Sequence, residues 1–471
     1  MAKSKFVRTS LEKISLRWSG PGGYRDVLNI GIPLVASMGS ITLMLFTDRL
    51  FLSRYSLEAI AAAMPAGIAS FLFLSFFMGV ASYVNVFVAQ YIGMGKPKMV
   101  GASLWQGLYF SFGSAIVLAM LFFIARPLFQ AAGHTTGVQE LEVKYFQILI
   151  LGSGVSVCAS ALSGFFSGRG LTRIVMLAHF VGAAVNIPLD YCLINGIGPF
   201  PELGIKGAGI ATVTAYSIIM LIFALLIFTR ANDRRFGVFC NWRFSPEIFY
   251  SLMKYGLPNG IQFFIDVFAF TAFVFIVGRL GNQFLAATNI VFSISTFAFL
   301  PMIGFGIGLS VIVGQALGRD KPKDAERATA STLQITLAYM LSIALLFLLT
   351  PELLMELFRS RTNTHIGYDI IVRTGVILLR FVAFYSIFDT LFIVYSSAIK
   401  GAGDTRYAMW AIAILSLGLM VLPVYIGIIY LGAGIYYAWL CLTMYVFIAG
   451  FVFRRRYKKG KWQDMRVVEK I

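Results

Sequence analysis

Charged side chains are scarce in this 471-residue sequence: 13% of the residues are Asp, Glu, Lys or Arg, whereas 58% are hydrophobic. A soluble domain carries about a quarter charged residues. Apolar stretches of twenty or more residues recur along the chain, and each is long enough to cross a hydrocarbon layer about 30 Å thick. The shortage of charge excludes a soluble globular protein and predicts an integral membrane protein with many spans.

Cysteine is also rare, and its spacing excludes a metal or redox motif. The chain has four cysteines, none close to another: Cys158, Cys192, Cys240 and Cys441. We expect free thiols and no structural metal. The net charge of +18 would suit nucleic acid, but no soluble basic domain exists to bind it. We therefore expect no nucleic-acid partner and attribute the cations to membrane topology.

Loops rich in Lys, Arg, Gly and Pro separate twelve predicted spans, numbered 1 to 12 in chain order. The first 25 residues are polar and basic and precede a full-length span, which argues against a cleaved signal peptide. With both termini cytoplasmic, the inner segments hold 29 Lys and Arg residues and the outer segments eight, as the positive-inside rule requires. We expect a multi-pass protein of the cell inner membrane. The predicted bounds are 27–52, 58–92, 101–125, 141–167, 174–195, 206–229, 254–279, 284–317, 327–350, 367–398, 407–430 and 432–453.

One thirteen-residue phrase occurs twice, as VFVAQYIGMGKPK at 86–98 and VIVGQALGRDKPK at 311–323, 225 positions apart. Three other landmarks recur at offsets of 225, 233 and 225: GIP with GLP, GRGLTR with GAGDTR, and GAGI with GAGI. Duplication of a six-helix unit accounts for all four pairs. In the repeated loop, we expect proline to end a helix and lysines to anchor at the anionic inner leaflet. The alternative is a direct role in gating.

The predicted fold class is an all-α polytopic membrane protein with twelve transmembrane helices in two six-helix bundles. Because each unit has an even number of spans, the copies share one orientation, with a pseudo-two-fold axis along the membrane normal and a cleft between them. The predicted domains are a cytoplasmic N-terminal segment (1–26), an N-terminal lobe (27–229), a cytoplasmic linker (230–253), a C-terminal lobe (254–453) and a basic cytoplasmic tail (454–471).

Four acidic residues fall inside apolar segments: Asp48, Asp190, Asp266 and Asp389. A charge at a helix centre costs about 2.5–3.5 kcal/mol on insertion scales, so such residues mark partners or a wet cavity. With a rise of about 1.5 Å per residue, Asp48 and Asp190 lie in the outer half of the first lobe, and Asp266 and Asp389 lie near mid-membrane. These four are the candidate site.

In the first lobe, Asn186 lies four residues before Asp190 on the same helix face, and Thr212 reaches a similar depth. Pro188 frees a backbone carbonyl in the preceding turn. These oxygens would suit Na+, and a proton shared between Asp48 and Asp190 would suit the site equally well.

In the second lobe, Asn259, Gln262 and Asp266 form one helical stripe at i, i+3 and i+7, and Asp389 lies at a depth similar to that of Asp266. Either the coupling ion or a cationic substrate would neutralise the two acids. The structural alternative is a stripe that joins helices, at about 1 kcal/mol per contact.

Other interpretations remain for single residues. Asp48 could instead reach the outer interface or pair with Arg49 or Arg54. We expect His179 to form a hydrogen bond between helices rather than to relay protons, and Arg380 to reach the outer headgroups.

Five motifs occur in a fixed order along the chain: GIPL at 31–34, the paired Q-x-x-G-x-x-x-P-K loops, NIPLD at 186–190, GAGIAT at 207–212 and KGAGDTR at 400–406. In these motifs the sequence resembles the multidrug and toxic compound extrusion (MATE) family over essentially its whole length. The resemblance implies cation-coupled efflux by alternating access, with a coupling-cation site at Asp48, Asn186, Asp190 and Thr212. Acids at Asp266 and Asp389 imply the NorM-type branch. The family commonly has proline after the aspartate, whereas here Pro188 comes before it.

We therefore predict a monomeric, non-enzymatic antiporter that exports cationic or amphipathic organic compounds against Na+ or H+, with no other cofactor and with membrane lipids around it. Three alternatives lack their signatures. A major facilitator protein would carry an acid in the loop after span 2, which reads GMGKPKMVGAS. A lipid-linked oligosaccharide flippase of the same superfamily would need arginines inside the first-lobe spans. A prenyltransferase would need paired Asp-rich motifs for Mg²⁺.

Overall fold

The computed structural model of the protein describes residues 17–131, 133–359 and 365–468, the side chains of 365–367 excepted. Most of the predicted N-terminal segment and the last residues of the tail lie outside these ranges. The helices of the described chain are α1 Tyr24–Tyr55, α2 Leu57–Ser82, α3 Val84–Gly93, α4 Lys98–Met120, α5 Ala125–Gln130, α6 Thr136–Ser167, α7 Thr172–Asn195, α8 Ile205–Ile227, α9 Arg230–Phe236, α10 Pro246–Gly278, α11 Asn282–Gly318, α12 Pro322–Leu349, α13 Pro351–Glu356, α14 His365–Ala402, α15 Thr405–Leu415, α16 Leu422–Ile429 and α17 Ile435–Lys458.

Within the described residues, twelve helical segments are long and apolar enough to cross a membrane. They match the predicted spans one to one, and no strand occurs in the described chain. The predicted all-α class with twelve transmembrane helices is confirmed. Span 7 begins at Pro246, inside the predicted linker, because proline suits the first turn of a helix and Glu247 complements its positive end.

Two spans contain an irregular turn. Span 2 consists of α2 and α3, which meet at Tyr83, where the backbone N–H bonds to Val80 O at 3.1 Å in a tighter turn. Span 11 has a π-helical segment, Ser416–Val421, between α15 and α16. Pro423 follows this segment and has no N–H for the preceding turn. A π turn accommodates such a local break in the hydrogen-bond ladder.

The repeated loops share a left-handed residue at the same position in both copies. Gly95 has φ +71° and Asp320, 225 positions later, has φ +54°, although a left-handed conformation is rare outside glycine. The prediction that proline ends a helix here is wrong. Pro97 is the residue before α4, and Pro322 is the first residue of α12. Proline begins helices well because its fixed φ is helical and its missing N–H needs no partner in the first turn.

The first copy of the repeated phrase, which includes the last turns of α3, also contacts the C-terminal tail. Gln90 Oε1 accepts a hydrogen bond from Val467 N at 2.9 Å, and both residues are buried. Tyr255 OH donates to Arg466 O at 3.3 Å, and the Arg466 guanidinium contacts the Asp320 carboxylate at 3.1 Å. The glutamine in this phrase therefore has a structural function that its sequence pattern did not indicate.

The chain forms two compact units, each with its own core. The N-terminal unit falls within Ala36–Phe264, Gly318–Asp320 and Arg466–Ile471. The C-terminal unit falls within Met1–Val35, Ile265–Leu317 and Lys321–Met465. The predicted lobes follow the sequence repeat, whereas these units divide inside α1 and inside α10.

The GIP and GLP landmarks explain where the units divide. Gly31 packs in the C-terminal unit, where a Cβ would stand 2.3 Å from the Phe305 ring. Gly256 packs in the N-terminal unit, where a Cβ would stand 3.2 Å from Val80 Cγ1. Both glycines and both neighbours are related by the 225-residue offset. The repeat therefore preserves a close helix contact that glycine permits.

Span 4 is the central helix of the N-terminal unit and packs against spans 2, 3 and 6. Small residues along span 4 allow the neighbouring helices to pack closely against it. A Cβ at Gly152 would stand 2.1 Å from Val213 Cγ2, and one at Gly154 would stand 2.4 Å from Ala115 Cβ. In the C-terminal unit, span 10 is the equivalent helix and packs against spans 9 and 12.

Candidate functional site

The N-terminal unit brings together the four residues predicted for the first lobe. Asp48 comes from α1, Asn186 and Asp190 from α7, and Thr212 from α8. Thr212 Oγ1 donates a hydrogen bond to Asp48 Oδ2 at 3.1 Å. The Asp190 and Asn186 side chains lie beside the Asp48 carboxyl group. We call this set the carboxylate pair site.

The carboxylate pair site is enclosed. Asp48 is 4% exposed, and Asn186 and Asp190 are fully buried. In the part of the chain that the structure describes, Asp48 Oδ1, both Asp190 carboxylate oxygens and both Asn186 side-chain polar atoms have no hydrogen-bond partner. Buried polar atoms are normally satisfied, so each such atom requires an explanation.

A bound cation would explain the four oxygen atoms of this group, and a proton shared by the two carboxyl groups would neutralise one of them; the Asn186 Nδ2 group is a donor and is not a cation ligand. Two buried carboxyl groups side by side repel each other unless one is neutralised. Neither Arg49 nor Arg54 forms an ion pair with Asp48 in the described chain, and the Asp48 side chain is buried rather than extended to the interface. Carboxylate, amide and hydroxyl oxygens fit a hard monovalent cation, and a proton would satisfy the same group of oxygens.

Tyr145 of α6 is a neighbour of this site that sequence reasoning missed. It is 7% exposed and lies within range of the charges of both Asp48 and Asp190. Gly209 of α8 packs against its ring, where a Cβ would stand 3.4 Å from Cδ2. Tyrosine in an apolar helix carries no strong sequence signal, so only the packing of span 4 at the centre of the unit reveals it.

The C-terminal unit brings Asp266 and Asp389 within range of each other's charge. Asp266 belongs to span 7 and Asp389 to span 10, and both side chains are half-buried rather than enclosed. Tyr445 of span 12 lies near both acids, and Tyr385 lies near Asp389. We call Asp266, Asp389 and these two tyrosines the open acidic site.

Lys400 lies in a helix and not in a loop, contrary to the sequence prediction. It was assigned to the loop after span 10, but α14 continues to Ala402, which places the lysine in the last turn of the helix. Its side chain is half-buried and interacts with the charge of Asp266. The helix continues because no breaker precedes Gly401, and a lysine in the last turn favours the negative end of the helix.

The residues of the stripe predicted on span 7 differ in their contacts. Asn259 Nδ2 donates a hydrogen bond to Gly79 O of span 2 at 2.6 Å, which is the helix-joining role considered as the alternative. Gln262 is 5% exposed, and its Oε1 has no hydrogen-bond partner in the described chain. Both residues belong to the N-terminal unit, whereas Asp266 belongs to the C-terminal unit.

The structure also describes the other single residues named from the sequence. His179 Nδ1 forms a hydrogen bond with Ser37 Oγ, and its ring packs edge-on against Phe223. The interpretation of His179 as a residue that joins helices is therefore supported. Arg380 is exposed and forms no ion pair within the described residues. All four cysteines are free thiols, as predicted.

The MatE family profile matches residues 33–192 and 258–426, more than half of the chain. The chain belongs to the MatE family. The two matched segments begin 225 residues apart (258 minus 33), so the family match repeats the internal duplication. MatE proteins form a transporter family rather than an enzyme family.

Curated relatives extend the MatE match over most of the chain. A probable multidrug resistance protein NorM from Listeria innocua is 26% identical over 442 residues, which cover 93% of this chain and 94% of the relative. A multidrug resistance protein NorM from Aliivibrio fischeri is 26% identical over 383 residues, 80% of this chain and 81% of the relative. The predicted resemblance to the MATE family and its NorM-type branch is confirmed.

Solved structures share the MatE fold. An outward-facing multidrug resistance MATE family transporter of the MOP superfamily has a TM-score of 0.84 at 20% identity, over 93% of this chain and 96% of that chain. A MOP superfamily transporter from Pyrococcus furiosus has a TM-score of 0.85 at 19% identity, over 94% and 97%. The fold is therefore that of a membrane transporter of the MatE family.

Proposed function

We propose that this protein exports cationic or amphipathic organic compounds by antiport against Na+ or H+. The relatives named for multidrug resistance support the substrate class. The observation that carries the antiport is the carboxylate pair site, with four buried oxygen atoms on Asp48, Asn186 and Asp190 that lack a partner in the described chain. Such a group of atoms is stable only with a neutralising cation or proton.

The two acidic sites have different functions. The carboxylate pair site is enclosed and suits a small coupling ion. The open acidic site is half-buried and lies beside Tyr445 and Tyr385, which suits an organic cation through charge and cation–π attraction. Occupancy of either site removes the energetic cost of its buried charge and shifts the balance between inward-open and outward-open states.

The transporter works by alternating access as a monomer in the cell inner membrane, with both termini in the cytoplasm. The distribution of Lys and Arg supports this orientation, since 29 of them lie in the segments predicted to face inward.

Transport by purified protein in proteoliposomes tests the proposal. Vesicles loaded with the fluorescent cation ethidium are given an opposing Na+ gradient, an opposing pH gradient, both or neither. We expect one gradient to accelerate ethidium movement, and an ethidium gradient to drive the same ion in the opposite direction. Ethidium movement that is independent of both gradients would contradict antiport.

A further inference from the structure

The segment between spans 6 and 7 carries an excess of positive charge. Residues 230–245, here called the basic linker, contain four arginines and one acid. The linker is held against span 3 by hydrogen bonds. Trp105 Nε1 donates to Val238 O at 2.7 Å, Asn241 Nδ2 donates to Lys98 O at 2.8 Å, and Ser245 N donates to Gln106 Oε1 at 3.3 Å. These hydrogen bonds fix the linker backbone, which carries the arginines, against span 3.

The one acid of the basic linker, Asp233, accepts hydrogen bonds from the linker's own backbone. Asp233 Oδ1 accepts hydrogen bonds from Phe239 N at 2.7 Å and from Cys240 N at 3.1 Å. The bond from the Phe239 amide is the main reason that the pKa of Asp233 lies below its usual value. The carboxylate stabilises the turn after α9, and no ion pair between Asp233 and an arginine occurs in the described chain.

Two arginines meet around one buried aromatic ring. The Arg169 guanidinium lies 4.1 Å from the Phe236 ring centroid and 4.7 Å from that of Phe165, and the Arg235 guanidinium lies 5.3 Å from Phe236. Among the residues that the structure describes, neither guanidinium lies within 4.0 Å of a carboxylate.

Arg169 and Arg235 act on each other. Burial, together with the charge of Arg235, lowers the pKa of Arg169 to about 10. Arg169 is still protonated at neutral pH. Two neighbouring cations without an acid favour an anion between them.

Exposed aromatic side chains follow Arg235 in the sequence of the basic linker. Phe239, Trp242 and Phe244 of the basic linker are 47%, 57% and 52% exposed. Tryptophan and other aromatic residues of membrane proteins concentrate at headgroup level, where one side of the ring is apolar and the other is wet. The basic linker thus combines fixed cations with side chains that insert among lipids.

We propose that Arg169 and the basic linker bind the phosphate of an anionic phospholipid in the cytoplasmic leaflet. A guanidinium matches phosphate oxygens in a bidentate pair, and this leaflet carries the negative lipids. Phe239, Trp242 and Phe244 contact the acyl chains beside that phosphate. The orientation follows from the predicted cytoplasmic position of the linker.

Quenching of Trp242 fluorescence by brominated lipid tests this proposal. The full-length protein is reconstituted with equal mole fractions of brominated phosphatidylglycerol or brominated phosphatidylcholine, and the Trp242 signal is taken as wild type minus Trp242→Phe. A basic residue near the membrane surface favours an anionic lipid by about fivefold. We therefore expect clearly stronger quenching by phosphatidylglycerol, which the double variant Arg169→Gln with Arg235→Gln abolishes. The matched control is Arg126→Gln, an exposed arginine beyond span 3 that should keep the preference.

Two outcomes would overturn the proposal. Equal quenching by both lipids in the wild type removes the anionic preference. A preference that persists in the folded double variant assigns it to cations other than Arg169 and Arg235. If the double variant does not fold, the salt dependence of the wild-type quenching tests the proposal. Added salt must weaken a charge-based preference, because the screening length falls from about 10 Å at 0.1 M to about 3 Å at 1 M.

Discussion

Replacement of Asp190 by asparagine removes one charge from the carboxylate pair site and hardly changes its volume. Neither oxygen of Asp190 receives a hydrogen bond in the described chain, so the fold loses no donor contact. We therefore expect the melting temperature of Asp190→Asn to stay close to that of the wild type. The coupling ion, in contrast, loses a charged ligand, and an interaction with a charged group contributes about 1.5–3 kcal/mol.

That loss corresponds to a roughly tenfold to hundredfold higher ion concentration for half-maximal exchange. The assay is ethidium exchange in proteoliposomes over a series of Na+ concentrations and, separately, of pH values. Asp369→Asn is the matched control, because Asp369 is an exposed carboxylate whose pairing with Arg359 contributes little. Wild-type exchange and unchanged ion dependence in Asp190→Asn would refute the assignment of the coupling ion to this site.

Three other changes test separate parts of the structure. Thr212→Val removes the hydrogen bond to Asp48, which contributes about 1 kcal/mol, and should raise the ion concentration for half-maximal exchange roughly fivefold. Thr212→Ser keeps the hydroxyl group and should not raise it. Equal effects of the two variants in exchange assays would contradict the contact. Asp389→Asn should weaken ethidium binding roughly tenfold, or about 1.4 kcal/mol, in a fluorescence titration without altering the ion dependence, and an unchanged affinity would remove the open acidic site from substrate binding. Gly152→Val should lower the melting temperature through overpacking of about 1–3 kcal/mol, whereas Gly113→Val, which meets nothing within 4 Å, should not.

The spans and the duplication could be predicted from the sequence because both are local properties. A twenty-residue apolar segment must form a helix in lipid, where every backbone polar group needs an internal partner. The candidate site acids could also be identified from a local property, because a lone acid in an apolar helix is costly and rarely retained without use. They are Asp48, Asp190, Asp266 and Asp389. Helix ends were less predictable, as the early start of span 7 and the position of Lys400 show.

The sequence by itself determined that twelve helices are long and apolar enough to cross a membrane, that they occur as two copies, and which acids lie within them. Only the tertiary structure decided which of these groups meet. Thr212 contacts Asp48 across 164 positions of sequence. Asn259 bonds to Gly79 across 180, and Gln90 holds Val467 across 377. Hydropathy is a property of each segment alone. These contacts depend on which small residues let two helices approach each other, and this is a property of pairs of helices.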